Sequence, residues 1–309
     1  MRRQKMSENI IKLKWGAIYN QENETLYCGH NEGFFSNCTT TLWNLTALYK
    51  QNITPRNINF SRDFSNYKTP EQNQNQVDMY PFYFNLCNSK EIKFRTFWIR
   101  HADQHYIYRF LDFGFYNQLI AKYFNLSQPI LEMVDSLVEK YNVNPAKTIA
   151  VYYRGTDKYL ECSLADPNLC LKQAEKILKR HPAFKILIQT DQKQVRDLFI
   201  NYFGDRCLFF EELPVTEGRE GMHKMDSNAL GMNKFEYGKA ILAVIYLISR
   251  CRFVINHSGN MAFWVCLFRG NAKNVDQFDA NGDLVTNLSL IKHIFSRLIR
   301  RLSSTFFKV

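Results

Sequence analysis

Two cations and a carboxylate fall within five residues at Arg154-Gly155-Thr156-Asp157-Lys158, with a glycine among them. An arginine offers a planar fork that takes two phosphate oxygens at once, and a lysine adds a compact point charge. Asp157 would hold one of the cations, and Glu161 follows closely enough to point into the same cleft. Taken alone, the stretch also reads as an ordinary charged turn. Two further clusters have a similar character. In Gln189-Thr190-Asp191-Gln192, Thr190 or Asp191 would cap a following helix whose N-terminus favours an anion. Asn256-His257-Ser258-Gly259-Asn260 reads as a nest for phosphate or ribose hydroxyls, or as a capped helix start.

Each cluster follows a run with strand character: Thr148–Tyr153, then Phe184–Gln189, then Arg252–Asn256. Helical spacing fills the intervals at Asn168–His181, Gln192–Tyr202, Glu236–Arg250 and Asn260–Phe268, and Arg206–Phe210 reads as one more strand. Strands alternating with helices at this spacing predict a parallel, doubly wound sheet, in which ligands bind at the carboxyl ends of the strands. All three clusters then face one edge. The loop Glu211–Asn233 is long enough to be a lid or a wall of the site and carries His223 beside Lys224, although a solvated histidine would look the same.

The first half of the chain is aromatic, rich in Asn and weakly periodic. After a short strand pattern it carries Cys28-Gly29-His30-Asn31-Glu32-Gly33, either an ordinary turn or a loop facing the cleft from the acceptor side. His30 and Glu32 are alternative bases there. Ser127 and Pro129 open a helix with Ile130, Met133, Val134, Leu137 and Val138 on one face, read as the connector between two units, 1–145 and 146–309.

A length of 309 residues with 46% hydrophobic and 22% charged residues describes a globular chain of two domains rather than a disordered one. The net charge of +11 favours anionic partners, yet no nucleic-acid-binding module is recognisable. The eight cysteines form no C-x-x-C pair and no zinc spacing, so no metal site is expected. With no leader and no membrane-spanning run visible, a cytoplasmic location is the expectation. The tail sets Ile291, Ile294, Phe295, Leu298 and Leu302 on one helical face against Lys292, Arg297, Arg300 and Arg301. It would pack back on the first half or rest on an anionic membrane.

The stretch TIAVYYRGTDK resembles the H-x-R-R-T-D-K and H-x-R-G-D elements of the α1,6-, α1,2- and protein O-fucosyltransferases. Its spacing to FKILIQTD and to SRCRFVINHSGN is similar too, over about residues 100–270. The resemblance implies an α/β fold of the GT-B type, two facing Rossmann-like domains with parallel sheets. It also implies an inverting transfer, most specifically of fucose from GDP-fucose, to a hydroxyl of a glycan or glycoprotein. No metal or other cofactor is required in that family. Carried over, Arg154 grips the donor pyrophosphate, with Gly155, Thr156, Asp157 and Lys158 in the same motif. Thr190 and Asp191 lie below the donor, and Ser258, Gly259 and Asn260 contact phosphate, with His257 in that segment.

The family's leading His is Tyr152 here and its second Arg is Gly155. The glutamate four positions after the motif lysine is replaced by Cys162, with Glu161 one earlier, and the guanine-reading aspartate would fall near Val244. Another nucleotide-sugar donor, such as UDP- or GDP-linked xylose, and a non-catalytic glycan-binding protein are the alternative readings. As a catalyst, the chain would use Arg154 and Lys158 for the leaving diphosphate and Glu161, or else Asp157, as general base.

Overall fold

The computed structural model describes residues 9–87, 91–93, 102–288 and 291. The tail residues from 292 onward, including the basic face anticipated there, lie outside this set, as do Arg2, Arg3 and Lys5. Four strands of three residues each, β1 (Ile10–Lys12), β2 (Ile18–Asn20), β3 (Thr25–Tyr27) and β4 (Asn57–Asn59), form the sheet of the first half. The α/β class holds throughout, but this sheet mixes directions: β1–β2 and β2–β3 are antiparallel and β3–β4 is parallel. The cause is chain length. Residues 13–17 and 21–24 are too few for the crossover a parallel pair needs, whereas β3 reaches β4 through the long helix α1 (Phe34–Tyr49).

Helix α1 is buried along almost its whole length. Its Thr39, Thr41 and Thr46 hydroxyls lie within hydrogen-bond reach of the carbonyls four residues back, which lets polar side chains sit in an apolar core. Two short helices follow, α2 (Pro70–Gln74) and α3 (Tyr80–Tyr83). Strand β5 (Phe84–Asn85) pairs with β6 (Asn125–Leu126) on either side of α4 (Phe113–Tyr123). Helix α5 (Gln128–Lys140) starts at Ser127 as expected, but the Ser127 hydroxyl donates to the Phe82 carbonyl at 2.8 Å instead of capping the helix.

The second half alternates strand and helix: β7 (Thr148–Tyr153), α6 (Pro167–Arg180), β8 (Lys185–Thr190), α7 (Lys193–Phe203) and β9 (Cys207–Leu208). After the short α8 (Ser227–Leu230) come α9 (Lys234–Arg250), β10 (Phe253–His257), α10 (Asn260–Arg269) and β11 (Val275–Phe278). The strands lie in the order β9-β8-β7-β10-β11, all parallel. Chain direction across the sheet therefore reverses between β7 and β10, and in such sheets the crevice beyond that switch point is where ligands bind.

Alternation gives the sheet two apolar faces. Ile149, Val151, Ile186, Ile188 and Ile255 pack under α6 and α7. Ala150, Tyr152, Leu187 and Val254 join a larger core that continues into the first half. Trp264 of α10 joins the halves: its ring packs on Phe35 and Phe124, and its Nε1 donates to Thr39 Oγ1 at 2.9 Å. Truncating so large a buried ring costs about 3–5 kcal/mol. Among the described residues no helix is long and apolar enough to cross a membrane.

Candidate functional site

Strand β7 ends at Tyr153, and Arg154 is the first residue beyond it. One guanidinium NH2 donates to Asp157 Oδ1 at 2.5 Å, and its Nε lies 3.8 Å from Asp191 Oδ2. The Arg154 side chain is 19% exposed. Burial opposes its charge, but the two carboxylates and the nearby Tyr152 outweigh this and hold the Arg154 pKa above the usual range. Asp157 is lowered: burial would raise it, and the charge and hydrogen bond of Arg154 prevail. Burial raises Asp191 despite Arg154 and two donors, the Gly155 amide at 2.9 Å and the Thr156 hydroxyl at 2.6 Å.

Asp191 thus stitches the β7 loop to the end of β8 rather than capping a helix. The residue at the start of α7 is Gln192, whose amide donates to Thr190 Oγ1 at 3.1 Å. Both capping expectations are corrected here, and the reason is competition: the Asp191 oxygens are already taken. Gly155 sits in a crowded turn: a Cβ there would displace the end of the Gln192 side chain and sit 2.9 Å from Tyr153 Cε1.

Lys158 faces inward. Its side chain is 1% exposed, and its ammonium donates to Glu161 Oε2 at 2.6 Å and to Gln104 Oε1 at 2.9 Å. Gln104 in turn accepts from the Asn260 amide at 3.1 Å and donates to Glu161 Oε2 at 2.9 Å. A first-half side chain therefore ties together Lys158, Glu161 and the start of α10. Burial would raise the Glu161 pKa, but Lys158 holds it below the usual carboxylate range.

The third cluster is used mostly within the protein. Ser258 donates to the Phe278 carbonyl at 3.0 Å and accepts from Gln277 Nε2 at 2.9 Å. His257 Nε2 lies 3.0 Å from the Ser163 carbonyl, and the Gly259 amide points to the Tyr108 hydroxyl at 3.4 Å. Of that segment, Asn260 reaches the cleft.

Two cavities meet at Arg154, and Gly33, His223 and Met261 also border both. The polar one, about 350 Å³, is lined by His30, Glu32, Asp157, Glu161 and Asn260 among others. The other is a slot walled by Tyr67, Tyr152, Tyr237 and Gln189; it encloses about 50 Å³, or about 520 Å³ with its open mouth counted. The Glu211–Asn233 loop is fastened across the end of β8, where the Lys193 amide donates to the Thr216 carbonyl at 3.0 Å and the Thr216 amide to the Asp191 carbonyl at 2.9 Å. It then brings Gly221 against Asp157: a Cβ there would lie 2.3 Å from Asp157 Oδ2. Burial, with the Arg154 charge, lowers the pKa of His223.

On the first-half side, His30 Nε2 lies 3.0 Å from Ser36 Oγ, and burial lowers its pKa. The Glu32 amide donates to Asn37 Oδ1 at 2.9 Å. Asn31 turns away and accepts from the Ser65 amide at 2.8 Å. Sequence reasoning missed Gln104, Tyr67 and Tyr237, which stand in segments with no motif. It gave Gln189 no role, although that residue opens the Gln189-Thr190-Asp191-Gln192 cluster and the strand-end rule could have assigned it one. Among the described residues, no group of three or more His, Cys, Asp or Glu side chains is placed to hold a metal ion.

No protein-family model matches the chain, and no curated protein matches it. Among solved structures it is similar to NodZ α-1,6-fucosyltransferase co-crystallised with GDP, at 21% identity over 54% of this chain and 50% of that one, with a TM-score of 0.34. Fucosyltransferase NodZ from Bradyrhizobium gives the same identity, coverage and score. POFUT1 in its apo form is similar at 10% identity over 52% of this chain and 49% of that one, with a TM-score of 0.33. The chain spans about half the length of these structures. The two NodZ structures are of fucosyltransferases.

Proposed function

We propose that this chain is a glycosyltransferase that takes a sugar from a nucleotide-sugar donor and passes it to a hydroxyl of a glycan or glycoconjugate. The observation that carries the reading is Arg154: a guanidinium fixed by two carboxylates, at the strand end beside the switch point, bordering two cavities at once. One cavity then takes the donor and the other the acceptor, with 146–309 as the donor unit and 1–145 as the acceptor side. The resemblance of the β7 loop favours fucose from GDP-fucose, with inversion and no metal.

In this reaction the acceptor hydroxyl gives its proton to a general base. Its oxygen attacks the anomeric carbon opposite the leaving group, and the breaking C–O bond leaves its electron pair on the diphosphate. Arg154 neutralises that charge as it develops, and being already fixed it needs no reorganisation. Glu161 is the proposed base, since its pairing with Lys158 keeps it ionised and it borders the polar cavity. Asp157 is paired as well, and its side chain is 13% exposed against 40% for Glu161, so it comes second.

A donor with another base is the second reading. Val244, where the family's guanine-reading aspartate would fall, is fully buried in α9 and brings no carboxylate to the site. A thermal-shift panel with GDP, UDP, GDP-fucose and UDP-xylose, with and without magnesium, tests both. At ~100 times Kd a ligand adds ~2.7 kcal/mol of stability. The expected result is stabilisation by a nucleotide, independent of magnesium and absent in Arg154→Ala. No response to any of the four would refute the donor site.

A further inference from the structure

Gln189 stands one residue before the end of β8 and is 1% exposed. Among the described residues neither its Nε2 nor its Oε1 has a hydrogen-bond partner, yet it lines the slot beside Arg154. Buried amides are nearly always paired, and leaving one unmade is costly. Its neighbour across the sheet, Tyr152, has its hydroxyl 2.5 Å from Met261 Sδ, so that side chain is already engaged. In the same row across the sheet, the Gln277 amide is fully used by Tyr106, Tyr108 and Ser258, and the Asn256 amide is unpartnered like that of Gln189 but borders neither cavity. Gln189 is thus an amide held ready on the wall of a cavity. The other walls are largely aromatic and apolar, from Tyr67, Tyr152, Tyr237 and Met261.

We infer that Gln189 reads the edge of the donor's base in this slot, so that base choice rests on an uncharged amide. The inference rests on the donor reading above and adds to it. An amide presents one donor and one acceptor in a plane. It therefore matches an edge that sets an N–H beside a carbonyl, which guanine and uracil both carry. A carboxylate would instead accept from two neighbouring donors, which guanine offers and uracil does not. This slot consequently admits both bases. Its closed part is smaller than a base, so entry requires the wall at Leu213–Met222 to give way, and that wall belongs to the loop fastened at Thr216.

The test is calorimetric titration of GDP, UDP and inorganic pyrophosphate into the full chain, its Gln189→Leu and Gln189→Met variants, and Arg154→Ala. GDP and UDP should bind within about tenfold of each other. Both Gln189 variants should lose about 10- to 100-fold for each nucleotide, the worth of two hydrogen bonds, while keeping pyrophosphate affinity. They should melt no lower than the wild type, because an unpaired amide is removed. Unchanged nucleotide affinity in both variants, or a lower melting point with pyrophosphate lost equally, would overturn the inference and leave the donor reading standing. A wild type that binds pyrophosphate no more weakly than nucleotides would do the same. If the wild type and Arg154→Ala bind none of the three, both readings fall.

Discussion

The two sides of the cleft hold their polar groups in different ways. On the β7–β8 side, Asp191 joins one strand end to the next loop, and Asp157 and Asp191 grip one guanidinium. Partners come from different strands of a five-stranded sheet, so the geometry is set by the fold. On the first-half side, His30, Asn31 and Glu32 lie on a loop after a three-residue strand and bond to Ser36, Ser65 and Asn37. A rigid face suits a step in which charge develops at one place, and an adaptable face suits recognition of a substrate surface.

Substitution at Arg154 should separate the two sides most sharply. Arg154→Ala leaves two carboxylates facing each other with no cation, and breaking a buried pair costs about 3–5 kcal/mol at full burial. The side chain is 19% exposed, so the lower end is expected in chemical denaturation. Turnover should fall by about 10²- to 10³-fold if the residue carries the leaving-group charge. Arg154→Lys should restore most of the stability and little of the turnover, because an ammonium lacks the fork that spans both carboxylates. Equal recovery of both would mean that charge alone matters.

Asp63 gives the first half its own large effect. Burial pushes its carboxyl up to about 7, against the Phe64 and His30 amides and the charge of Lys68. A folded pKa above the unfolded one means that this residue costs nothing below about pH 4 and destabilises increasingly as pH rises toward 7. Asp63→Asn should therefore stabilise the protein by something on the order of 4 kcal/mol above pH 7 and by nothing near pH 3.5, read from melting against pH. A gain independent of pH would show that the charge is not the cause.

Glu161→Gln is expected to reduce turnover by about 10²-fold, within the usual range for a general base. Lys158 holds Glu161 below the usual carboxylate range, so the acid limb of the wild-type rate profile should fall at a pH below that of an ordinary glutamate. A limb nearer pH 6 would move the role to a histidine, with His223, on which the Arg154 and Asp157 charges act, the first candidate.

The same contrast governs what could be read in advance. Strands of five or six residues repeat their alternation often enough to show, and β7 spans Thr148–Tyr153 as expected. The parallel sheet and the polar strand ends followed from it, while the strand order did not. Strands of three residues leave no period, so neither the mixed sheet nor the placement of Tyr67 could be inferred. Direction was harder than position. Ser258 and Lys158 lie in the expected segments, but their side chains turn to partners from β11 and from Gln104, which are distant in sequence.

His30→Ala should give the smallest effect and is the most direct probe of the first-half side. The histidine borders the polar cavity, and its visible partner is the Ser36 hydroxyl, a single hydrogen bond worth about 0.5–1.5 kcal/mol. Stability should therefore change little, and nucleotide binding not at all, because the residue lies away from the slot. If the polar cavity holds the acceptor, KM for acceptor should rise by about 3- to 10-fold with kcat kept, the signature of lost uniform binding. A fall in kcat with KM unchanged would place His30 at the reacting hydroxyl instead. The rigid side would then supply charge stabilisation and the loop side the proton transfer.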